Sequence, residues 1–462
     1  MAPTGHHNFA PRLGLAYSPA ATSGILKKLT GGPGKSSIRI GYGIFFTELE
    51  GVSLQIGQPF TPYGLYYYSP LPPLFATPYV DLATGDSEGQ RFPGVFPPPP
   101  SPSHPDTSVN FAPFEPVSSE PVIYHRNALP YTESYSLSLE RQFGSTTLVG
   151  LTYAGAQGHR LIVGLESNPG NPALCLSLSQ LSEVMPGTQP CGPFGEDGSY
   201  YPVSGGVVNS TRQWYGPNIG SDAFYDTMGN SSFNALEATV RHSSERGEFL
   251  ASYTYSKAMD NSSGLSDQVY PFNYRLSKAL AAFDTTNNFV VSYTYALPFD
   301  RLSRRTRLAS GWKLSGVTRF ATGFPVGLSE SDDNSLLGTS GSGIGGEVDV
   351  PNYTPGSLNR TNPRSGLPYF NTSLFSPEAL GQFGDADRRF FHGPGLNNFD
   401  MALVKDLRLT ESKSMEFRAE WFNIFNHAQF GSPNGNVDSS IFGLVTSANA
   451  PRIGQVAIKF VF

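Results

Sequence analysis

The stretch "SMEFRAEWF", residues 414–422, alternates polar and apolar side chains at nearly every position. Glu416, Arg418 and Glu420 fall on one side of an extended chain. The other side carries Met415, Phe417, Ala419 and Trp421. Because successive side chains of a β-strand point to opposite faces, this period of two predicts a strand with one charged face and one apolar face.

The same period of two recurs along the whole chain. We predict eleven strands, near residues 9–17, 36–46, 131–143, 146–156, 233–243, 247–258, 285–296, 311–322, 398–408, 413–425 and 452–462. A single segment of this kind is weak support for a strand, whereas eleven in series indicate an all-β protein. Gly (50 residues) and Pro (39) are abundant and aromatic residues make up 13% of the chain, which is typical of proteins rich in turns and strands.

The connections between these segments alternate between short and long. Tight turns at 144–145, 244–246 and 410–412 and moderate connections at 18–35 and 298–310 lie on one side. Long connections at 47–130, 157–232, 259–284, 323–397 and 427–451 lie on the other. Outer-membrane barrels have short periplasmic turns and long extracellular loops, whereas a soluble β-sandwich or propeller would not explain the asymmetry. The sequence therefore predicts an antiparallel transmembrane β-barrel in the bacterial outer membrane.

A barrel of this kind places apolar side chains against lipid and polar ones in its lumen, because a sheet survives in hydrocarbon only when all its backbone groups are paired. The predicted lumen-facing charged residues are Arg39, Glu140, Arg319, Asp400, Glu416, Arg418 and Glu420. Pairing of these charges across neighbouring strands is the favoured interpretation. Contact with a plug, or lining of a permeation path, stays open as the alternative.

Other classes of function find little support in the sequence. The net charge of −6 argues against nucleic acid as a partner, because phosphate binding needs a clustered basic surface. No Ser/His/Asp, Cys/His or paired-carboxylate set stands out, so we predict no catalytic site, no metal site, no cofactor and no enzyme activity. "GSGIGG" at 341–346 matches G-x-G-x-x-G but lacks the flanking strand and helix of a dinucleotide site, so it predicts a surface loop.

Two features of the long connections have alternative interpretations. "ESDDNS", with Glu330, Asp332 and Asp333, is interpreted as a solvated acidic tip in preference to a cation site. Cys175 and Cys191 lie in one Pro/Gly-rich stretch. A disulfide that closes this loop is favoured over two separate thiols, and it would require an oxidising compartment.

The direction of the strands follows from the connections. The short turn at 410–412 is periplasmic, which places the C-terminus in the periplasm and the start of the first strand outside the cell. Complete bacterial barrels have even strand numbers and begin in the periplasm. The first residues also lack the basic and apolar regions of a signal peptide. We therefore expect the chain to be the C-terminal part of a longer barrel.

Several stretches resemble TonB-dependent outer-membrane receptors, specifically the Oar-like group of acidobacterial type. They include "NFAPRLGLAYSP", "LPYTESYSLSLERQFGSTTLVGLTYAGAQGHRL", "RRFFHGPGLNNFDMALVKDLRLTESKSMEFRAEWFNIFNHAQFGSPN" and the closing "RIGQVAIKFVF". The resemblance implies a barrel of about 22 strands, preceded by a plug and a carboxypeptidase-regulatory-like domain. This sequence matches roughly the C-terminal half of that barrel and contains neither preceding domain.

The resemblance also implies a function and partners. Receptors of this group import bulky, scarce nutrients, so a nutrient ligand and outer-membrane lipid are expected partners. The TonB system is a partner only where the N-terminal part is present, and active transport by this chain alone is not expected. Phe460 and Phe462 would form the signal that the barrel assembly machinery recognises. A plug-less surface or adhesion protein and a passive pore stay open as alternatives.

Overall fold

One antiparallel sheet dominates the computed structural model. The structure describes residues 8–47, 122–123, 128–166, 168–178, 197–200, 207–209, 211–212, 214–220, 223–265, 267, 270–299, 308–331, 333–337 and 349–462. The all-β, antiparallel fold class predicted from the sequence is confirmed. No helix in these ranges is both long enough and apolar enough to cross a bilayer.

The described residues contain seventeen strands. They are β1 Arg12–Tyr17, β2 Ser36–Phe46, β3 Val122–Ile123, β4 Tyr131–Phe143, β5 Thr147–Glu166, β6 Asp197–Tyr200, β7 Val207–Asn209, β8 Ala223–Ser244, β9 Gly247–Asp260, β10 Ala279–Leu280, β11 Asn287–Ala296, β12 Trp312–Ala321, β13 Asn352–Tyr353, β14 Phe375–Ser376, β15 Leu396–Arg408, β16 Ser414–Phe422 and β17 Ile453–Val461. Two short helices, α1 Gly24–Thr30 and α2 Pro172–Leu178, and 3-10 turns at Tyr274–Ser277, Pro363–Ser365 and Thr372–Leu374 complete the elements.

Eleven of these strands form a continuous path in chain order, β1-β2-β4-β5-β8-β9-β11-β12-β15-β16-β17. Each pairs antiparallel with the next, and within the described ranges β3 and β10 are short additions to β8 and β9. Tight turns set several registers. After β4 the chain reverses through Gly144, whose φ of 62° favours glycine, and Phe143 lies opposite Thr147.

The register gives the sheet two chemically different faces. One row of directly opposed residues runs Ile40, Leu137, Tyr153, Leu236 and Tyr255, and all five side chains are exposed. A continuous row of exposed apolar side chains of this kind is rare on soluble monomers. The sheet therefore presents one face that is suited to an apolar medium.

The strand order fixes which connections lie together. Because consecutive strands on the path are antiparallel, the connections after β2, β5, β9, β12 and β16 emerge at one end of the sheet. The turns after β1, β4, β8, β11 and β15 lie at the other end. We call the described residues of the connections after β5, β9, β12 and β16 the loop layer.

The largest difference from the sequence prediction lies in β5 and β8. Both strands continue about ten residues beyond the predicted segments, so residues 157–166 and 223–232 are paired rather than irregular. The alternation breaks at Arg160, which adopts φ 55° where the register shifts. Beyond that bulge Val163 and Leu165 are buried in a small cluster, and this packing stabilises the extended ribbon.

Candidate functional site

The seven charged residues predicted to face the lumen all lie on one face of the sheet. Residues directly opposite each other across a ladder share a face, as do alternate residues along a strand. The ladder connects Glu140 to Arg319 through Gly150, Thr239, Ser252 and Val290. The same reasoning places Arg39, Asp400, Glu416, Arg418 and Glu420 on this face, opposite the exposed apolar row.

Five of the seven charges form ion pairs. Arg39 Nη1 lies 3.0 Å from Glu140 Oε2, across the neighbouring strands β2 and β4. Arg418 lies between two carboxylates of its own strand, 3.2 Å from Glu416 Oε1 and 3.1 Å from Glu420 Oε1. These side chains are partly exposed, so each pair contributes little to stability and stays accessible to solutes.

The other two charges bond to neutral groups. Arg319 Nε donates to Asn288 Oδ1 at 2.9 Å, and Asp400 Oδ1 accepts from the backbone N–H of Asn423 at 2.8 Å. Asp400, Arg418 and Glu420 help to line a cavity of about 620 Å³ against the sheet. This face therefore combines fixed charges with open space.

The closing residues lie at the edge of the described sheet. Phe460 is opposite Met415 in the register of β16 and β17, on the apolar face. Its ring stacks on that of Phe462, with 6.0 Å between centroids, and the Phe462 side chain is 90% exposed. The role of both residues as an assembly signal stays a prediction.

The loop layer has a hydrophobic core of its own. The cluster contains Val326, Leu328, Tyr369, Phe370, Phe375, Ala386 and Phe391, with Val437, Phe442 and Val445 packed against it. The Phe370 ring makes edge-to-face contacts with Phe375, Phe391 and Phe442 at 5.0–5.6 Å. The connections after β12 and β16 thus fold together, which indicates a fixed surface.

A second contact joins the connection after β9 to the segment before β15. Arg388 Nη2 lies 2.6 Å from Asp260 Oδ1, and Arg388 Nε donates to the Ser277 carbonyl at 2.8 Å. Arg389 Nη2 lies 2.7 Å from Asp267 Oδ1, and Arg388 also contacts Asp267. We call Arg388, Arg389, Asp260 and Asp267 the arginine–aspartate clamp.

The electrostatics of the clamp favour its charged form. Burial alone would raise the pKa of Asp267, but the hydrogen bond from Arg389 and the charges of Arg388 and Arg389 hold that pKa below its ordinary value. A further pair, His392 Nε2 and Asp284 Oδ2 at 2.8 Å, links the same two connections. These contacts could not be predicted from the sequence, because their partners are more than a hundred residues apart.

The prediction of a solvated acidic tip at 330–333 is wrong for Glu330. The side chain of Glu330 is fully buried. The side chains of Asp349 and Glu378, which lie in more distant segments, are almost fully buried. Burial, followed by a side-chain hydrogen bond with Glu330, raises the pKa of Glu378 to about 9, and burial raises that of Asp349 to about 7. Asp332 and the glycine-rich segment 341–346 lie outside the described residues.

Cys175 is fully buried in the loop layer and is disulfide-bonded. It packs with Leu336, so α2 contacts the connection after β12. Cys191, the other cysteine of the chain, lies outside the described residues. The pairing of Cys175 with Cys191 therefore stays a prediction.

Comparison with known proteins identifies the family. The model of the outer membrane beta barrel domain matches residues 1–455. The chain belongs to this family. No curated protein matches it. Family membership supports an outer-membrane location for the sheet.

Solved structures of outer-membrane transporters and receptors are similar to this chain. The transporter YddB from Escherichia coli aligns at TM-score 0.42 and 9% identity, over 93% of this chain and 39% of its own. A mutant of the ferric enterobactin receptor PfeA from Pseudomonas aeruginosa gives 0.43 and 10%, over 98% and 40%. The ferric-catecholate import receptor Fiu from Escherichia coli gives 0.38 and 9%, over 98% and 34%. The chain therefore spans two fifths or less of these structures' lengths.

Proposed function

We propose that this chain is the barrel portion of a TonB-dependent outer-membrane receptor of the Oar-like type, which takes up a bulky nutrient. In this proposal the loop layer is extracellular, the short turns and the C-terminus are periplasmic, and the charged face lines the lumen. The observation that carries the proposal is the folded loop layer at one end of a sheet whose apolar face is exposed. The sequence resemblance and the family support it.

The loop layer suits the capture of a large solute. Its connections are held by a common aromatic core and by buried ion pairs, so a binding surface on them would be largely preformed. Preorganisation lowers the entropic cost of binding. The charged face below it offers polar, solvent-accessible groups along the path that a solute would follow. Coupling to TonB and assembly through Phe460 and Phe462 are part of the same proposal.

Labelling of intact cells tests the orientation. Ser357 lies in the loop layer and Ser412 in the turn between β15 and β16, and both are exposed. We expect a membrane-impermeant maleimide to label Ser357→Cys in intact cells and Ser412→Cys only after permeabilisation. The unsubstituted chain gives the background from its own cysteines. Labelling of Ser412→Cys but not of Ser357→Cys in intact cells would show that the opposite end of the sheet faces outward. That result would overturn the proposal.

Uptake in the source bacterium tests the function. A strain that lacks the gene and its complemented counterpart are supplied with labelled iron chelates, cobalamin and oligosaccharides. We expect accumulation of at least one compound to require both this gene and a functional TonB system. Accumulation that needs the gene but not TonB would identify a passive pore. No gene-dependent accumulation, together with lost surface attachment, would identify an adhesion protein.

A further inference from the structure

The connection between β1 and β2 contains the short helix α1, whose apolar side chains are exposed. Ile25 is 76% exposed, Leu26 65% and Leu29 64%. At about 100° per residue, these three side chains lie within one arc of roughly 100°, and Lys27 and Lys28 lie on the opposite side of the helix. The helix is therefore amphipathic, and the described residues leave its apolar side open.

The last turn of α1 is fixed to the rest of the chain. Gly31 has a φ of 79° and donates its N–H to the Lys27 carbonyl at 2.8 Å, which ends the helix. Arg141 Nη1, from β4, donates to the Leu29 carbonyl at 2.7 Å. A helix of seven residues is marginal in water, so these contacts help to hold α1 with its apolar side outward.

The contact with Arg141 places α1 beside the apolar face of the sheet. Arg141 follows Leu137 and Leu139 at alternate positions of β4, so its side chain starts from the apolar face. Its Cζ atom lies 4.5 Å from the ring centroid of Phe143, the last residue of β4. Phe143 and Tyr17, the last residue of β1, are exposed on the same face. At the end of the sheet that carries these turns, α1 therefore continues the apolar face.

Three cations at this end of the apolar face lack a carboxylate partner. None of the ion pairs formed within the described ranges involves Lys27, Lys28 or Arg141. Lysines beside an apolar helix face are attracted to the phosphates of anionic lipids. A second copy that docked through α1 by twofold symmetry would instead bring lysines of the two copies together. The charges therefore favour a phospholipid surface as the partner.

We propose that α1 is an interfacial helix that anchors the turn between β1 and β2 in one leaflet of the membrane. Ile25, Leu26 and Leu29 lie at the boundary between headgroups and acyl chains, about 5–10 Å deep. Lys27 and Lys28 contact the phosphates of anionic phospholipids. The identity of the leaflet rests on the proposed function, in which this end of the sheet is periplasmic. Contact with lipid depends neither on uptake nor on TonB.

Fluorescence quenching tests the depth of the helix. The full chain is reconstituted into vesicles of phosphatidylethanolamine and phosphatidylglycerol, and a nitrobenzoxadiazole probe is attached to Leu26→Cys without reductant, because Cys175 is disulfide-bonded. We expect lipids brominated on their acyl chains to quench this probe roughly twofold more strongly than a probe on Lys27→Cys, on the opposite side of the same helix. Equal quenching at the two positions would overturn the proposal.

Lipid composition tests the role of the lysines. Quenching of the Leu26→Cys probe should be stronger in vesicles with phosphatidylglycerol than in vesicles of phosphatidylcholine alone. Replacement of both Lys27 and Lys28 with glutamine should remove this difference. Equal quenching in neutral and anionic vesicles by the chain with both lysines would overturn the assignment of anionic lipid as the partner.

A cross-link on the unsubstituted chain covers the case of variants that do not fold. The same vesicles contain a phospholipid with a photoreactive acyl chain, and heat-modifiable migration on a gel checks folding. Mass spectrometry should find the lipid on residues 24–30 and on residues 12–17 of β1. Lipid on 12–17 but not on 24–30, or a cross-link from 24–30 to a second copy, would overturn the proposal and leave the proposed function standing. Absence of lipid from both segments would contradict the membrane-spanning sheet as well.

Discussion

Replacement of Arg388 with alanine should separate two connections of the loop layer. The guanidinium is 4% exposed, bonds to Asp260 Oδ1 at 2.6 Å and to the Ser277 carbonyl at 2.8 Å, and also contacts Asp267. Removal of the arginine leaves Asp260 buried and without its counter-charge. Loss of one partner of a buried ion pair typically costs about 3–5 kcal/mol. A local opening free energy reduced by that amount corresponds to an opening equilibrium constant that is roughly 100- to 4,000-fold larger.

Hydrogen exchange with mass spectrometry measures this effect segment by segment. The backbone N–H of Leu280 donates to the Arg389 carbonyl at 3.2 Å, so it reports directly on the contact between the two connections. Peptides covering 270–285 and 385–395 should lose protection in the variant. Peptides from β16 and β17 should keep theirs, because the sheet does not depend on the clamp.

Arg275→Ala is the matched control, because Arg275 lies in the same connection and is exposed. Its exchange should match the unsubstituted chain. Arg388→Lys keeps the positive charge, but the lysine ammonium cannot reproduce the forked hydrogen bonds that the guanidinium donates to several oxygens. An intermediate loss of protection is therefore expected. Unchanged exchange around Leu280 in Arg388→Ala would refute the assignment of the clamp as the contact that holds these connections together.

Three further predictions concern other parts of the chain. Phe462→Ser should reduce assembly into the outer membrane of cells while refolding in detergent stays normal; equal impairment of both would contradict a role in recognition. Cys175 and Cys191 should resist alkylation until a reductant is added, and a bridge over this loop would contribute about 3 kcal/mol in the chain-entropy model; immediate alkylation of both would contradict the disulfide. Asp267 has a pKa below its ordinary 3.8, so its stabilising charge is present above that pH and is lost as pH falls through the lowered value. Protection of the 270–285 peptide should therefore drop in acid, and Asp267→Asn should remove that pH step.

The strands of the path could be predicted from the sequence, because the alternation that marks a strand involves only neighbouring residues. The segment predicted at 131–143 corresponds to β4, Tyr131–Phe143, and that predicted at 36–46 corresponds to β2, Ser36–Phe46. In both strands, successive side chains face different environments, so polar and apolar residues alternate along the sequence. The antiparallel order then follows from short turns such as the one at Gly144.

The contacts inside the loop layer could not be predicted from the sequence in the same way. Arg388 and Asp260 are 128 residues apart, and no local pattern indicates that they meet. Glu330 was assigned to solvent because "ESDDNS" is polar, yet it is buried by segments that arrive from elsewhere in the chain. The end of β5 was missed for a related reason, since the bulge at Arg160 interrupts the alternation by which strands are recognised.

In the proposed orientation, the length of β5 and β8 determines how far the loop layer lies from the lipid. These strands have 20 and 22 residues. At about 3.3 Å per residue and a tilt of about 40°, such a strand rises about 50 Å along the membrane normal, twice the roughly 25 Å height of a barrel's apolar band. The paired ribbon would thus hold the loop layer clear of the polar headgroups. A solute too large to approach the bilayer surface could bind to the loop layer at that height.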